Sequence, residues 1–116
     1  VPVLNAIGDS AVIDALGLGG HALAHAPEPR AALAEYLPDD FVDLPSQLMS
    51  IAHPFFEGCR LRMGLDARRA VDNDARPIVT LAMIDAKGNC GLLGRGIFRP
   101  SLALFRSALQ SIGQHV

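Results

Sequence analysis

The residues in this chain best suited to chemistry are those that could hold a small anion. Ile7-Gly8-Asp9-Ser10 and Gly17-Leu18-Gly19-Gly20-His21 are two glycine-containing turns that bracket a short helical stretch. Each leads into a helix N-terminus, where free backbone N–H groups and the helix dipole favour a carboxylate or phosphate. Gly8, Asp9, Ser10, Gly19 and Gly20 are therefore candidate binding residues. The same residues also fit a plain structural role, with glycine ending one helix and Asp9 or Ser10 capping the next. Neither turn is a Rossmann fingerprint or a phosphate-binding P-loop, because no Gly-Lys-Ser/Thr follows. A second candidate is the run Gly91-Leu92-Leu93-Gly94-Arg95-Gly96-Ile97-Phe98-Arg99-Pro100. Glycines on both sides of Arg95 allow a ligand or a backbone to approach, and a guanidinium binds carboxylate or phosphate through two parallel bonds. Pairing of Arg95 with an acid of the first half is the alternative.

Other reactive side chains lack the company that catalysis needs. His21 and His25 are spaced to share one helical face and could hold zinc, but no third ligand or zincin glutamate lies near them, so no metal site is expected. Cys59 and Cys90 have no second cysteine at a redox or metal spacing and read as reduced core or hairpin residues. Ser10 lies in no Gly-x-Ser-x-Gly elbow. Asp85 stands where an apolar run meets a turn and could reach a site, although capping the hairpin is the commoner reason for an acid there. No cofactor motif is present.

The elements that must position these groups follow from periodicity and turn chemistry. Helices are expected over Ala11 to Leu16, His21 to Ala26 and Arg30 to Leu37, and from Asp43-Leu44-Pro45 through Ala52. Gly58 to Met63 alternates like a strand with one buried face. Asp66 should cap a short helix through Val71. Pro77 to Ile84 is a nearly continuous apolar run, as in a central strand covered on both faces. Lys87-Gly88-Asn89 turns it into an antiparallel partner over Leu92 to Phe98. After Pro100 a last helix presents Leu102, Phe105, Leu109 and Ile112 as an apolar stripe. Helices first and strands later predict an α+β fold, a helical first half packed on a small, mainly antiparallel sheet with a C-terminal helix.

With 116 residues and 50% hydrophobic content, one domain with a core of ordinary size is expected over residues 1–116. The opening Val1-Pro2-Val3-Leu4-Asn5 reads as a strand entering a site, which suggests the C-terminal part of a longer polypeptide. A net charge of −2 gives no general case for nucleic acid or an anionic membrane. The charge is divided unevenly: residues 1–57 carry eight acids and Arg30 alone as a base, whereas residues 58–116 carry nine bases and four acids. The halves could pair across their contact, or the arginines could line an anion pocket. With no apolar run long enough to span a membrane and no signal-peptide pattern, a soluble cytoplasmic protein is expected.

Three ordered blocks carry a family resemblance. Ile7-Gly8-Asp9-Ser10-Ala11-Val12, leading through Gly17-Leu18-Gly19-Gly20 to Ala22 and Pro27, is similar to "IGDSxIxExxGLGGxAxxxAP" in the YahG/YlbE-like family, with Asp14 where the pattern has glutamate. His53-Pro54-Phe55-Phe56 and Gly64-Leu65-Asp66-Ala67-Arg68-Arg69-Ala70-Val71 resemble a second block. Pro77 through Gly91, Gly94, Gly96, Arg99 and Pro100 to Phe105 and Ala108 resembles the family's ending, with Asp85 in place of a histidine. The resemblance implies a subunit that works with an FdrA-like partner in oxamate carbamoyltransferase, which interconverts oxamate plus carbamoyl phosphate with oxalurate plus phosphate in purine-derived nitrogen catabolism. Such transfer needs positive groups and N–H donors that hold two small anions close. With that chemistry, Gly8, Asp9, Ser10, Gly19 and Gly20 are expected to position an anion, Arg95 and Arg99 to bind it, and Asp66 to cap or orient. A homo-oligomer is expected. The alternative is a non-catalytic assembly module of a larger cytoplasmic complex, in which the charge-asymmetric halves and the C-terminal helix bury partner surface.

Overall fold

The computed structural model describes residues 2–5, 9–59 and 61–113. Its first helix, α1 (Asp9–Leu16), stops at Gly17, which takes the left-handed φ of +104°. Strand β2 (Arg62–Leu65) passes so close that a Cβ on Gly17 would lie 2.9 Å from the Arg62 carbonyl oxygen. Only glycine lets the helix end where it does and still touch the strand. A 3-10 turn over Gly20–His25 follows, then α2 (Pro27–Leu33), which opens on proline and starts earlier than expected, and a further 3-10 turn at Ala34–Tyr36.

Helix α3 (Leu44–Leu48) is shorter than the sequence suggests. At Met49 the backbone turns extended, with φ −93° and ψ 133°, and β1 (Met49–Ala52) pairs antiparallel with β2. Met49 faces Leu65 and Ile51 faces Met63 in this register. Tertiary pairing overrides local helical preference here, helped by β-branched Ile51 and by Pro54 just beyond. The expected strand over Gly58 to Met63 is correspondingly displaced: Pro54–Cys59 forms 3-10 turns, and pairing begins at Arg62.

Helix α4 (Ala67–Asp72) begins as read. The Asp66 carboxylate accepts the backbone N–H groups of Arg68 at 2.9 Å and Arg69 at 3.4 Å. β3 (Val79–Ile84) and β4 (Leu92–Phe98) form the expected antiparallel hairpin, with Ala82 opposite Arg95 and Leu81 opposite Gly96. Near its end β3 is also met by the first residues, through a Val3–Asp85 bridge and a 2.9 Å bond from Leu4 N–H to the Ile84 carbonyl. β3 is nevertheless not the doubly covered strand its composition suggests. Met83 and Ile84 are 36% and 45% exposed, and full burial is reached at Pro77 and Ile78, just before the strand. α5 (Leu102–Ser111) is capped by Ser101, whose hydroxyl accepts Ala103 N–H at 3.2 Å.

The fold is α+β, with its antiparallel pairing divided between two two-stranded sheets. The main core joins Leu44, Leu48 and Met49 to Ala70, Ala75, Ile78 and Leu102, with Leu65, Ile97 and Phe105 packed around it. Along α5, Leu102 and Leu109 are buried, whereas Ile112 at the end of the stripe is 69% exposed. Cys90, expected in the core or the hairpin, lies in the hairpin turn and is exposed.

Candidate functional site

The turn after α1 is held by one carboxylate. Asp14 is 1% exposed, and its Oδ1 accepts the backbone N–H of Gly20. Its Oδ2 accepts the Thr80 backbone N–H at 2.9 Å and the Thr80 hydroxyl at 3.4 Å. A Cβ on Gly19 would lie 2.3 Å from Oδ1, so glycine at that position is what admits the carboxylate. The anion that the Gly17–Gly20 turn invites by its exposed N–H groups is thus supplied from within the chain.

His21 completes the clamp. Its Nε2 lies 3.0 Å from the Ile78 backbone N–H, which can only donate, so Nε2 carries the lone pair. The proton then sits on Nδ1, which donates to the Asp14 carbonyl at 2.8 Å. Burial lowers the His21 pKa below 6.5, an effect that the Asp14 carbonyl and carboxylate oppose without reversing. Both ring nitrogens are engaged with backbone, so His21 has no lone pair left for a metal, and the His21–His25 pairing is not a ligand set.

Beside this clamp runs a cleft of ≈ 440 Å³, walled by Leu18, Gly19, Gly20, Ala22, Leu23 and Leu33 on one side and by Thr80, Leu81, Ala82 and Arg95 on the other. Arg95 reaches it because it faces Ala82 across the β3–β4 ladder. Its guanidinium has no hydrogen-bond or ion partner among the described residues. The wall is otherwise mainly aliphatic, a composition typical of small-molecule sites with a few polar anchors.

Of the residues singled out from the sequence, Gly19, Gly20 and Arg95 come together on this cleft. Asp66 lines a separate cleft of ≈ 560 Å³ with Ser50, Ile51, Arg68 and Leu109, and caps α4. Arg99 lies elsewhere, paired with Asp40 at 3.4 Å and donating to the Arg76 carbonyl at 2.8 Å. Arg99–Asp40 is the one ion pair joining the acidic and basic halves among the described residues. Gly8 lies outside the described residues, as do the side chains of Asp9 and Ser10, which open α1. Sequence reading passed over Asp14 and Thr80. A signal was present: Asp14 sits in the last turn of α1, where an acid opposes the helix dipole, and such a local misfit points to a partner from elsewhere in the fold.

The chain matches no protein-family model and no solved structure. It is 28% identical over 119 residues to the oxamate carbamoyltransferase subunit AllG of Escherichia coli (strain K12), an alignment covering 93% of this chain and 28% of AllG. It is 27% identical over 111 residues to the uncharacterized protein YahG of the same organism, covering 89% of this chain and 23% of YahG. The resemblance read from the three ordered blocks therefore holds across most of the chain. The chain spans about a quarter of the length of the curated relatives it matches. No helix among the described residues is long and apolar enough to cross a membrane.

Proposed function

We propose that this chain is part of a carbamoyltransferase subunit of the oxamate type, and that its own contribution is a small-anion site in the cleft between the Gly17–Gly20 turn and β4. The observation that carries the reading is Arg95, a guanidinium without a partner among the described residues, lining a cleft in a chain similar to an oxamate carbamoyltransferase subunit. In this reading Arg95 holds the anion, while Gly19 and Gly20 shape the opposite wall with Asp14 behind them. Arg99 and Asp66 act from outside the cleft, by tying Asp40 and Arg76 together and by starting α4. Gly8, Asp9 and Ser10 remain candidates at the start of α1. No covalent nucleophile is needed, since carbamoyl transfer between bound anions is served by positioning and by positive charge on the developing oxyanion. An FdrA-like subunit is the partner of choice, in a cytoplasmic homo-oligomeric assembly. The test is thermal denaturation with oxamate, oxalurate, carbamoyl phosphate and phosphate, on the wild type and Arg95→Ala. Stabilisation by at least one of these anions that disappears in the variant is expected; identical curves in both proteins would sink the reading.

One observation favours an assembly role as a second reading. Val12, Ile13 and Leu16 leave an apolar face of α1 67%, 50% and 42% exposed, more than a lone small domain usually shows on one helix. A strictly monomeric chain by light scattering, with no capture by a co-expressed FdrA-like subunit, would remove it.

A further inference from the structure

The charges around the cleft narrow the anion it can take, provided that the site proposed above is the anion site. Several arginines of the second half are engaged with backbone carbonyls: Arg62 Nε donates to Met49 at 3.2 Å, Arg69 donates to Ser46, and Arg76 Nε donates to Pro100 at 3.2 Å. Arg99 is held by Asp40 and the Arg76 carbonyl. Arg95 is the one charged group on the cleft wall among the described residues.

Two of the N–H groups that might have shared a larger anionic load are engaged as well. Gly20 N–H and Thr80 N–H both go to Asp14. A phosphate dianion is normally held by several backbone donors or by more than one cation. In this cleft it would meet one guanidinium, an aliphatic wall and the Asp14 carboxylate just behind Gly19 and Gly20. A single carboxylate fits differently, because the guanidinium fork matches its two oxygens one to one and leaves no charge uncompensated. The rest of the ligand then lies against Leu18, Ala22, Leu23 and Leu33, where a second charge would be desolvated without a partner.

We infer that this cleft binds a monocarboxylate whose remaining atoms are uncharged, and that a phosphorylated co-substrate is held by groups outside it. The chain thus supplies the acceptor half of the site and leaves the phosphate half to another part of the assembly.

Oxamate and oxalate test this directly, since they have nearly the same size and shape and differ by one negative charge near neutral pH. Isothermal titration of the chain with oxamate, oxalate and inorganic phosphate, repeated on Arg95→Gln, is expected to give oxamate binding that depends on Arg95. Oxalate and phosphate should bind at least about tenfold more weakly, the effect of about 1.4 kcal/mol of uncompensated charge. Oxalate or phosphate binding as tightly as oxamate in an Arg95-dependent manner would overturn the inference while leaving the anion site standing. Absence of Arg95-dependent binding by any of the three would remove both. The oxamate-to-oxalate ratio is read on the wild-type chain, so the inference stays testable even if Arg95→Gln loses its fold.

Discussion

Strand β3 is anchored at both ends by a buried aspartate, and the two anchors work differently. Asp14 holds the beginning, taking the N–H groups of Gly20 and Thr80, residues that lie 6 and 66 positions away in sequence. Asp85 holds the end, taking the N–H groups of Lys87 at 3.0 Å and of Asn89 and Cys90 at 2.9 Å each, all within five positions. Asp85 therefore caps its own hairpin turn, whereas Asp14 ties a helix, a turn and a strand together. A local anchor restrains a few residues that water can also solvate. A long-range anchor in a dry site determines whether two parts of the molecule meet at all, and the cleft lies along that junction.

Removing the long-range anchor should have the largest effect. Asp14→Ala leaves one buried N–H donor, on Gly20, and one half-buried donor, on Thr80, unanswered; at about 1–3 kcal/mol for a buried donor, a loss of about 3 kcal/mol is expected from urea denaturation. It should also abolish any Arg95-dependent ligand binding, because one wall of the cleft loses its hold on the other. A loss smaller than about 1 kcal/mol would mean that water or another acceptor replaces the carboxylate and that the anchor is dispensable. Gly19→Ala attacks the same anchor from the other side. Its Cβ would sit 2.3 Å from Asp14 Oδ1, and overpacking of this kind costs about 2 kcal/mol. The same change at Gly96, which pairs with Leu81 one ladder step from Thr80, meets nothing within 4 Å and should leave the unfolding midpoint close to that of the wild type.

Acid should act on the His21 ring of the clamp before it acts on Asp85. His21 is neutral in the folded protein with a pKa lowered from 6.5, chiefly by burial, so the unfolded chain binds the proton more readily. Stability is then fully present above pH 6.5 and declines as pH falls through that value toward the folded pKa. The slope from one such group cannot exceed about 1.4 kcal/mol per pH unit. Asp85 has its pKa lowered from 3.8 because the N–H groups of Lys87, then Cys90 and Asn89, favour its charged form. Its contribution is present above pH 3.8 and is lost only as pH drops further. Unfolding free energies measured between pH 8 and 3, with the His21 ring followed by NMR, should show the His21 step first. A flat profile between pH 7 and 5 would mean that the Ile78 bond to Nε2 does not hold the ring neutral.

The same contrast explains what could be read from the sequence. Local features were legible: Asp66 capping α4, the last helix after Pro100, the Lys87-Gly88-Asn89 turn, and the hairpin that carries Arg95. Each is decided within a few residues by turn and cap chemistry. The break between α3 and β1 at Met49 was not legible, because the strand exists by pairing with residues 62–65. Asp14, His21, Ile78 and Thr80 are a constellation of long-range bonds to backbone donors, and backbone donors carry no side-chain signature. The glycine turn reads as an anion-seeking element, and the one local sign of what fills it is the misfit of Asp14 in the last turn of the preceding helix.

Loss of the local anchor should have the smallest effect of the series. The donors that Asp85 satisfies lie in a turn where Lys87, Asn89 and Cys90 are all exposed, so water can replace the carboxylate once it is gone. Asp85→Ala should therefore leave the global unfolding midpoint nearly unchanged and show itself in local opening. Amide hydrogen exchange at Asn89 and Cys90 is expected to quicken about tenfold, while the Thr80 amide, held by Asp14 at the other end of the same strand, keeps its wild-type rate. If exchange at Thr80 quickens equally, the two ends of β3 open as one unit and the hairpin turn takes part in holding the cleft closed. The oxamate affinity of the variant then decides the matter independently: it should be unchanged if the ends are separate, and weakened together with Thr80 protection if they are coupled.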